Sequence, residues 1–317
     1  MHFPFLKSLL WANATAGIRS PPELQVVTSS GIINGKYNNT AETVRGFIGI
    51  PYAEPPVGSL RWAPPIPKVS QDLIDASSFS NPCAQVYLYS KQSIYTVLPY
   101  KIWNSANMSE DCLYMNIWAP SIRHKQRNKG KEAAVMMFIY GGSFFSGSGS
   151  VGYYDGSYLV QDNEDIIVVT FNYRLTVFGY PNSPGLDPKK QNLALMDQYH
   201  RDPLVSAIAL HSGTAPLLVT PANRENWNNL STDLGCGAGA DSLDCMRQVS
   251  QTRILEARAR GNYTFYPVLD DVLVFSDYAA RARRGQLARL VSMAIRNLLA
   301  GLTKRAIPAN TSWNERA

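Results

Sequence analysis

Three small residues, Gly141-Gly142-Ser143, follow the apolar run at residues 133–140 (AAVMMFIY). After a strand, such a loop lets the backbone itself approach a bound group, and its N–H groups can donate to a developing oxyanion. That chemistry is acyl transfer. It also needs a nucleophile, a base that activates it and a carboxylate that orients the base. A second apolar run, residues 166–172 (IIVVTFN), comes next. Strand, glycine loop, helix-like segment and strand are the pattern of a parallel α/β sheet. On that scaffold a nucleophilic serine sits in Gly-x-Ser-x-Gly at a strand-to-helix turn. The pattern occurs nowhere in the 317 residues.

No other residue replaces it, and no catalytic residue is assigned. Ser143 has no histidine near it in sequence. Ser212 follows His211 directly, but adjacent residues on a strand point to opposite faces, so the two are badly placed to share a proton. No His/Cys/Asp group has metal-ligand spacing, and no glycine-rich loop ends in Lys-Ser/Thr, so neither a metal nor a cofactor is expected.

A chain of this length and ordinary apolar content can bury one large α/β core. Several separate segments then narrow the reading. Residues 44–65 (VRGFIGIPYAEPPVGSLRWAPP), 109–120 (SEDCLYMNIWAP), 139–148 (IYGGSFFSGS), 172–180 (NYRLTVFGY) and 192–198 (NLALMDQ) match one family closely. Residues 207–214 (AIALHSGT), 234–247 and 265–290 match it more loosely. Together they resemble the carboxylesterase type B family, the α/β-hydrolase group of secreted esterases, lipases and cholinesterases.

The resemblance implies an incomplete α/β-hydrolase-like fold: a small N-terminal antiparallel sheet, then a mostly parallel central sheet with flanking helices. It covers about residues 25–290, as a partial domain, with a gap at about 199–206 (YHRDPLVS). There the family carries a helix, the strand bearing the nucleophile and another helix. The missing strand would leave its neighbours to close the gap or stay unpaired, and unpaired edges favour aggregation. By the same resemblance Gly141, Gly142 and Ser143 are a remnant of the oxyanion loop, with Ser143 where a third glycine is usual. The acid position falls on Leu299, and the catalytic histidine belongs beyond Ala317. His2, His124, His200 and His211 lie in no matching context. Arg45 with Glu110, and Arg174 with Asp197, take the places of two internal ion pairs. Four cysteines allow three pairings; the resemblance favours Cys83 with Cys112 and Cys236 with Cys245.

An even cysteine count and six Asn-x-Ser/Thr sequons, at Asn13, Asn38, Asn107, Asn229, Asn262 and Asn310, favour the secretory route. Residues 1–16 resemble a signal peptide interrupted by Lys7. No run is long enough for a membrane span. From residue 246 onward there are 12 Lys/Arg against 5 Asp/Glu, while the net charge of the whole chain is +6. Residues 281–305 read as a basic amphipathic helix and 291–317 as a divergent basic tail. A solvated face explains that charge without a nucleic-acid partner. Three functional readings follow: a truncated carboxylic-ester hydrolase relative without activity, a secreted non-catalytic binding protein of the same fold, or an active esterase whose full product contains the missing segment. A carboxylic ester is a partner only in the last. Substrate and oligomeric state are not encoded in these motifs.

Overall fold

The computed structural model describes residues 21–38, 41–85, 108–122, 132–163, 165–198, 206–211, 221–286 and 291–295. The strands are β1 (Gln25–Thr28), β2 (Gly31–Asn34), β3 (Lys36–Asn38), β4 (Ala41–Pro51), β5 (Leu73–Asp75), β6 (Tyr114–Pro120), β7 (Ala134–Phe138), β8 (Ile166–Phe171), β9 (Ala207–His211) and β10 (Val291–Ile295). The helices used below are α1 (Ser157–Asp162), α2 (Thr176–Gly179), α3 (Leu193–Gln198), α4 (Glu225–Asp233), α5 (Ser242–Gln248), α6 (Gln251–Arg260) and α7 (Tyr278–Arg283).

Among the described residues three sheets form, ordered β1-β2-β5, β3-β4-β6-β8-β7 and β10-β9. In the small N-terminal sheet β1 and β2 are antiparallel, and β5 adds to β2 in parallel. The five-stranded sheet is antiparallel from β3 through β8 and parallel only at β7–β8. The other parallel pair of the second half, β9–β10, stands as a separate two-stranded sheet. Parallel pairing is thus less extensive than the sequence suggested. The reason is the position of the break: β7 is the last strand of the large sheet, and no described strand carries the parallel run on to β9.

The break leaves its mark on exposure. β8 buries Val168 to Phe171, as a β-branched run between two covered faces should. Its neighbour β7 is equally apolar yet exposed along its whole length, with Val135 62 % and Met137 57 % exposed. Such an open edge with apolar faces is a template for unwanted pairing.

The main core nevertheless spans both halves of the sequence. Trp62 and Trp227, 1 % and 0 % exposed, meet edge to face with ring centroids 4.8 Å apart. Each indole N–H is satisfied, on the Val177 carbonyl (2.9 Å) and on Ser242 Oγ (2.8 Å). Leu230, Met246, Ile254 and Phe265 from the α4–α6 region pack with Leu113, Leu175 and Leu193 in the same cluster. A second cluster joins Val160 of α1 to Val44, Ile48, Trp118 and Val168 on the large sheet.

Where residues 281–305 are described, they do not form one basic amphipathic helix. α7 ends at Arg283, and residues 291–295 (VSMAI) form β10, pairing residue for residue with β9 from Val291–Ala207 to Ile295–His211. An apolar β-branched stretch beside an open strand gains ladder hydrogen bonds that an isolated helix turn would not match. The tail read as divergent therefore begins with a strand.

Candidate active-site loop

Tyr140 closes β7's run into the loop, and its ring stacks on Tyr173 at 4.3 Å. Tyr173 Oη donates to the Tyr140 carbonyl at 2.6 Å, and Tyr140 Oη to the Tyr173 carbonyl at 3.2 Å. This reciprocal clasp fixes the strand end. Burial pushes both phenols above their ordinary pKa, so they stay neutral and serve as hydrogen-bond partners.

The turn that follows is tight. The Gly142 carbonyl accepts from the N–H groups of Phe145 (3.0 Å) and Ser146 (3.2 Å). Gly142 has φ +127°, and a Cβ there would stand 1.8 Å from the Ser146 carbonyl oxygen, so only glycine fits. Behind the turn, buried Gln85 accepts from Gly147 N–H (2.9 Å) and donates to its carbonyl (2.8 Å). Asn172 Oδ1 accepts from Ser148 Oγ (2.9 Å) and Gly149 N–H (2.8 Å). Thr176 N–H donates to the Phe144 carbonyl (2.8 Å), tying the loop to α2. The sequence carries no signal for these roles of Gln85 and Asn172, since a buried amide that clasps a backbone has no motif of its own.

Gly141, Gly142 and Ser143 are exposed, and among the described residues none of their N–H groups donates to a protein acceptor. Those donors remain available. They face water, however, and preorganised dipoles act most strongly where water is excluded.

Ser143 (φ +54°) and Phe144 (φ +64°) both adopt left-handed backbone. A non-glycine residue is strained there by roughly 1–2 kcal/mol. Ser143→Gly should relieve that strain, offset in part by greater freedom of the unfolded chain. The expected result is a gain of about 0.5–1 kcal/mol in urea unfolding. A loss of stability would show that the serine side chain holds the loop.

Two buried ion pairs are found among the described residues. Arg174 Nε and Nη2 donate to Asp197 Oδ2 (2.9 Å) and Oδ1 (2.7 Å). The second pair corrects the sequence reading: Glu110 is held by Arg61, not Arg45. Arg61 Nε reaches Glu110 Oε2 at 2.7 Å and Nη2 reaches Oε1 at 2.5 Å. Its Nη1 also donates to the carbonyls of Met246 (3.0 Å) and Val249 (2.6 Å). Arg45 instead donates to the carbonyls of Pro120 (2.9 Å) and Glu23 (3.0 Å). Register is the cause. Arg45 lies opposite Ala119, near the far end of β6, whereas Glu110 precedes the start of that strand. Burial pushes the Glu110 carboxyl up from its ordinary pKa, against the pull of Arg61.

Cys83–Cys112 and Cys236–Cys245 are both bonded, with Cα–Cα distances of 5.0 and 5.5 Å. Arg61, Glu110, Arg174, Cys83 and Cys112 line one small cavity, so ion pairs and disulfide brace the same spot. Ser212, His2, His124, His200, Leu299, Asn13, Asn107 and Asn310 lie outside the described residues. His211 ends β9. Asn229 and Asn262 are exposed, and Asn38 is half-buried. Among the described residues no acidic, His and Cys side chains gather into a metal site, and no helix is long and apolar enough to cross a membrane.

The model of the carboxylesterase family matches residues 22–201, more than half of the chain. The chain belongs to the carboxylesterase family. Its α/β-hydrolase fold is present in incomplete form, with the family's ester-hydrolase lineage. A chlorogenic acid esterase of Aspergillus niger is 32 % identical over 314 residues, covering 84 % of this chain and 60 % of that protein. An acetylcholinesterase of Electrophorus electricus is 38 % identical over 184 residues, 57 % of this chain and 28 % of that one. Secreted lipase 5 of Gibberella zeae is 28 % identical over 342 residues, 87 % of this chain and 64 % of that protein. The chain thus spans less than two thirds of the length of these carboxylesterase-family relatives.

Proposed function

We propose that this carboxylesterase-family chain retains the oxyanion loop of a carboxylic-ester hydrolase and, with the residues it has, does not turn esters over. One observation carries the reading: a loop whose three backbone donors meet no acceptor among the described residues stands in a sequence that contains no Gly-x-Ser-x-Gly. The open edges of β7 and β9 support it, since the missing match falls between those strands. Gly141, Gly142 and Ser143 then stabilise charge on a bound carbonyl without a serine to attack it. Two disulfides, exposed sequons at Asn229 and Asn262, and a relative named as a secreted lipase favour passage through the secretory route.

The test is hydrolysis of p-nitrophenyl acetate by purified protein. Loss of a triad lowers kcat on the order of 10⁶-fold, leaving what binding and the oxyanion donors supply. The rate should match that of a Ser143→Ala/Ser212→Ala double variant, and a fluorophosphonate should label no serine. A product burst that either substitution abolishes would overturn the proposal. The same open edges favour a second reading, an active esterase whose full product inserts a strand between them. A transcript carrying extra coding sequence across residues 199–206, together with ester hydrolysis by its product, would favour it over the first.

A further inference from the structure

Arg258, in the last turn of α6, is 4 % exposed. Its Nε has no hydrogen-bond partner, and among the described residues no carboxylate lies within ion-pair distance of it. A buried guanidinium without an anion is rare, because desolvating a charge is costly unless it is paired. Its guanidinium carbon stands 5.1 Å from the centroid of the Phe145 ring. Phe145 belongs to the active-site loop, since its N–H donates to the Gly142 carbonyl. The same ring meets Tyr266 edge to face at 4.9 Å, and both rings are half-buried.

We propose that Arg258, Phe145 and Tyr266 form a binding site for a small aromatic carboxylate beside the Gly141–Ser143 loop. The geometry divides the guanidinium between two roles. Phe145 covers one face through a cation–π contact, and in the guanidinium plane Nε–H meets no acceptor among the described residues. A carboxylate approaching edge-on is the planar, bidentate partner a guanidinium fits. The rings of Phe145 and Tyr266 supply the apolar contact that an aromatic acid, unlike chloride or acetate, would gain. Burial draws the guanidinium pKa down from its ordinary value while Tyr266 opposes that, yet arginine stays charged across the working range. The site requires no turnover, so it stands whether or not the chain hydrolyses esters.

The experiment is a thermal-unfolding titration with benzoate and with benzamide, its uncharged counterpart, on wild type, Arg258→Met and Arg258→Lys. At 100 times the dissociation constant a ligand of the folded state adds about 2.7 kcal/mol. Benzoate should raise Tm in wild type and benzamide should not. Arg258→Met should lose the response while keeping a Tm at or above that of wild type, because an unpaired buried charge is gone. Arg258→Lys keeps the charge without the planar fork and should bind benzoate at least tenfold more weakly; it decides the matter should the Met variant not fold. Equal responses to benzoate and benzamide, no response to either, or a full benzoate response in whichever variant folds would each overturn the site.

Discussion

Asp197→Ala is expected to destabilise the protein by about 3–5 kcal/mol, the loss typical when one partner of a buried pair is removed. Asp197 has a fully buried side chain and takes three donors from one residue, the backbone N–H, Nε and Nη2 of Arg174. Only Nη1 of that guanidinium turns elsewhere, to the Ala63 carbonyl at 2.7 Å. Deleting the carboxylate strands a charge that is itself 3 % exposed. Total stability of a domain is about 5–15 kcal/mol, so much of it is at stake. The cause can be separated from lost packing. If the stranded charge dominates, Arg174→Met combined with Asp197→Ala should lose clearly less than the sum of the two single losses. Urea unfolding of all four proteins measures this, and strictly additive losses would contradict it.

Removal of the Cys83–Cys112 bridge should be the next largest loss. The chain-entropy relation gives about 3–4 kcal/mol for a separation of 29 residues and about 2.5 kcal/mol for the 9 residues of Cys236–Cys245. Burial widens the difference. Cys83 and Cys112 are 1 % and 0 % exposed beside the Arg61–Glu110 pair, whereas Cys245 lies at the surface. Paired Cys→Ala variants of each bridge, unfolded in denaturant, should therefore rank Cys83/Cys112 as the more damaging. The reverse order would mean that the short loop around α5 contributes more to the fold than its length suggests.

Much of this was legible in sequence, for identifiable reasons. The IIVVTF run could only be a covered strand, and Gly141-Gly142 could only be a close turn, because each depends on residues a few positions apart. The Arg174–Asp197 pair and both disulfides sit in distinctive segments, and the resemblance located them. The partner of Glu110 was misread because residues 44–65 offer two arginines, and only the β4–β6 register separates them. The strand at 291–295 has no local signal, since the strand it pairs with, β9, lies about eighty residues earlier in the chain. The same limit hid Gln85 and Arg258, whose roles come from what the fold brings beside them.

The Trp62–Trp227 contact also gives the molecule an optical label. One indole comes from the N-terminal half and the other from α4, and both are sealed from water in a fixed edge-to-face pose. Two chromophores held that close couple their transitions, so the near-ultraviolet circular dichroism carries a signal that exists only while the halves are packed together. Far-ultraviolet signal can survive in a loosened state that has lost fixed packing, whereas this one cannot. The joining of the two halves across the interrupted sheet can therefore be followed in unlabelled protein.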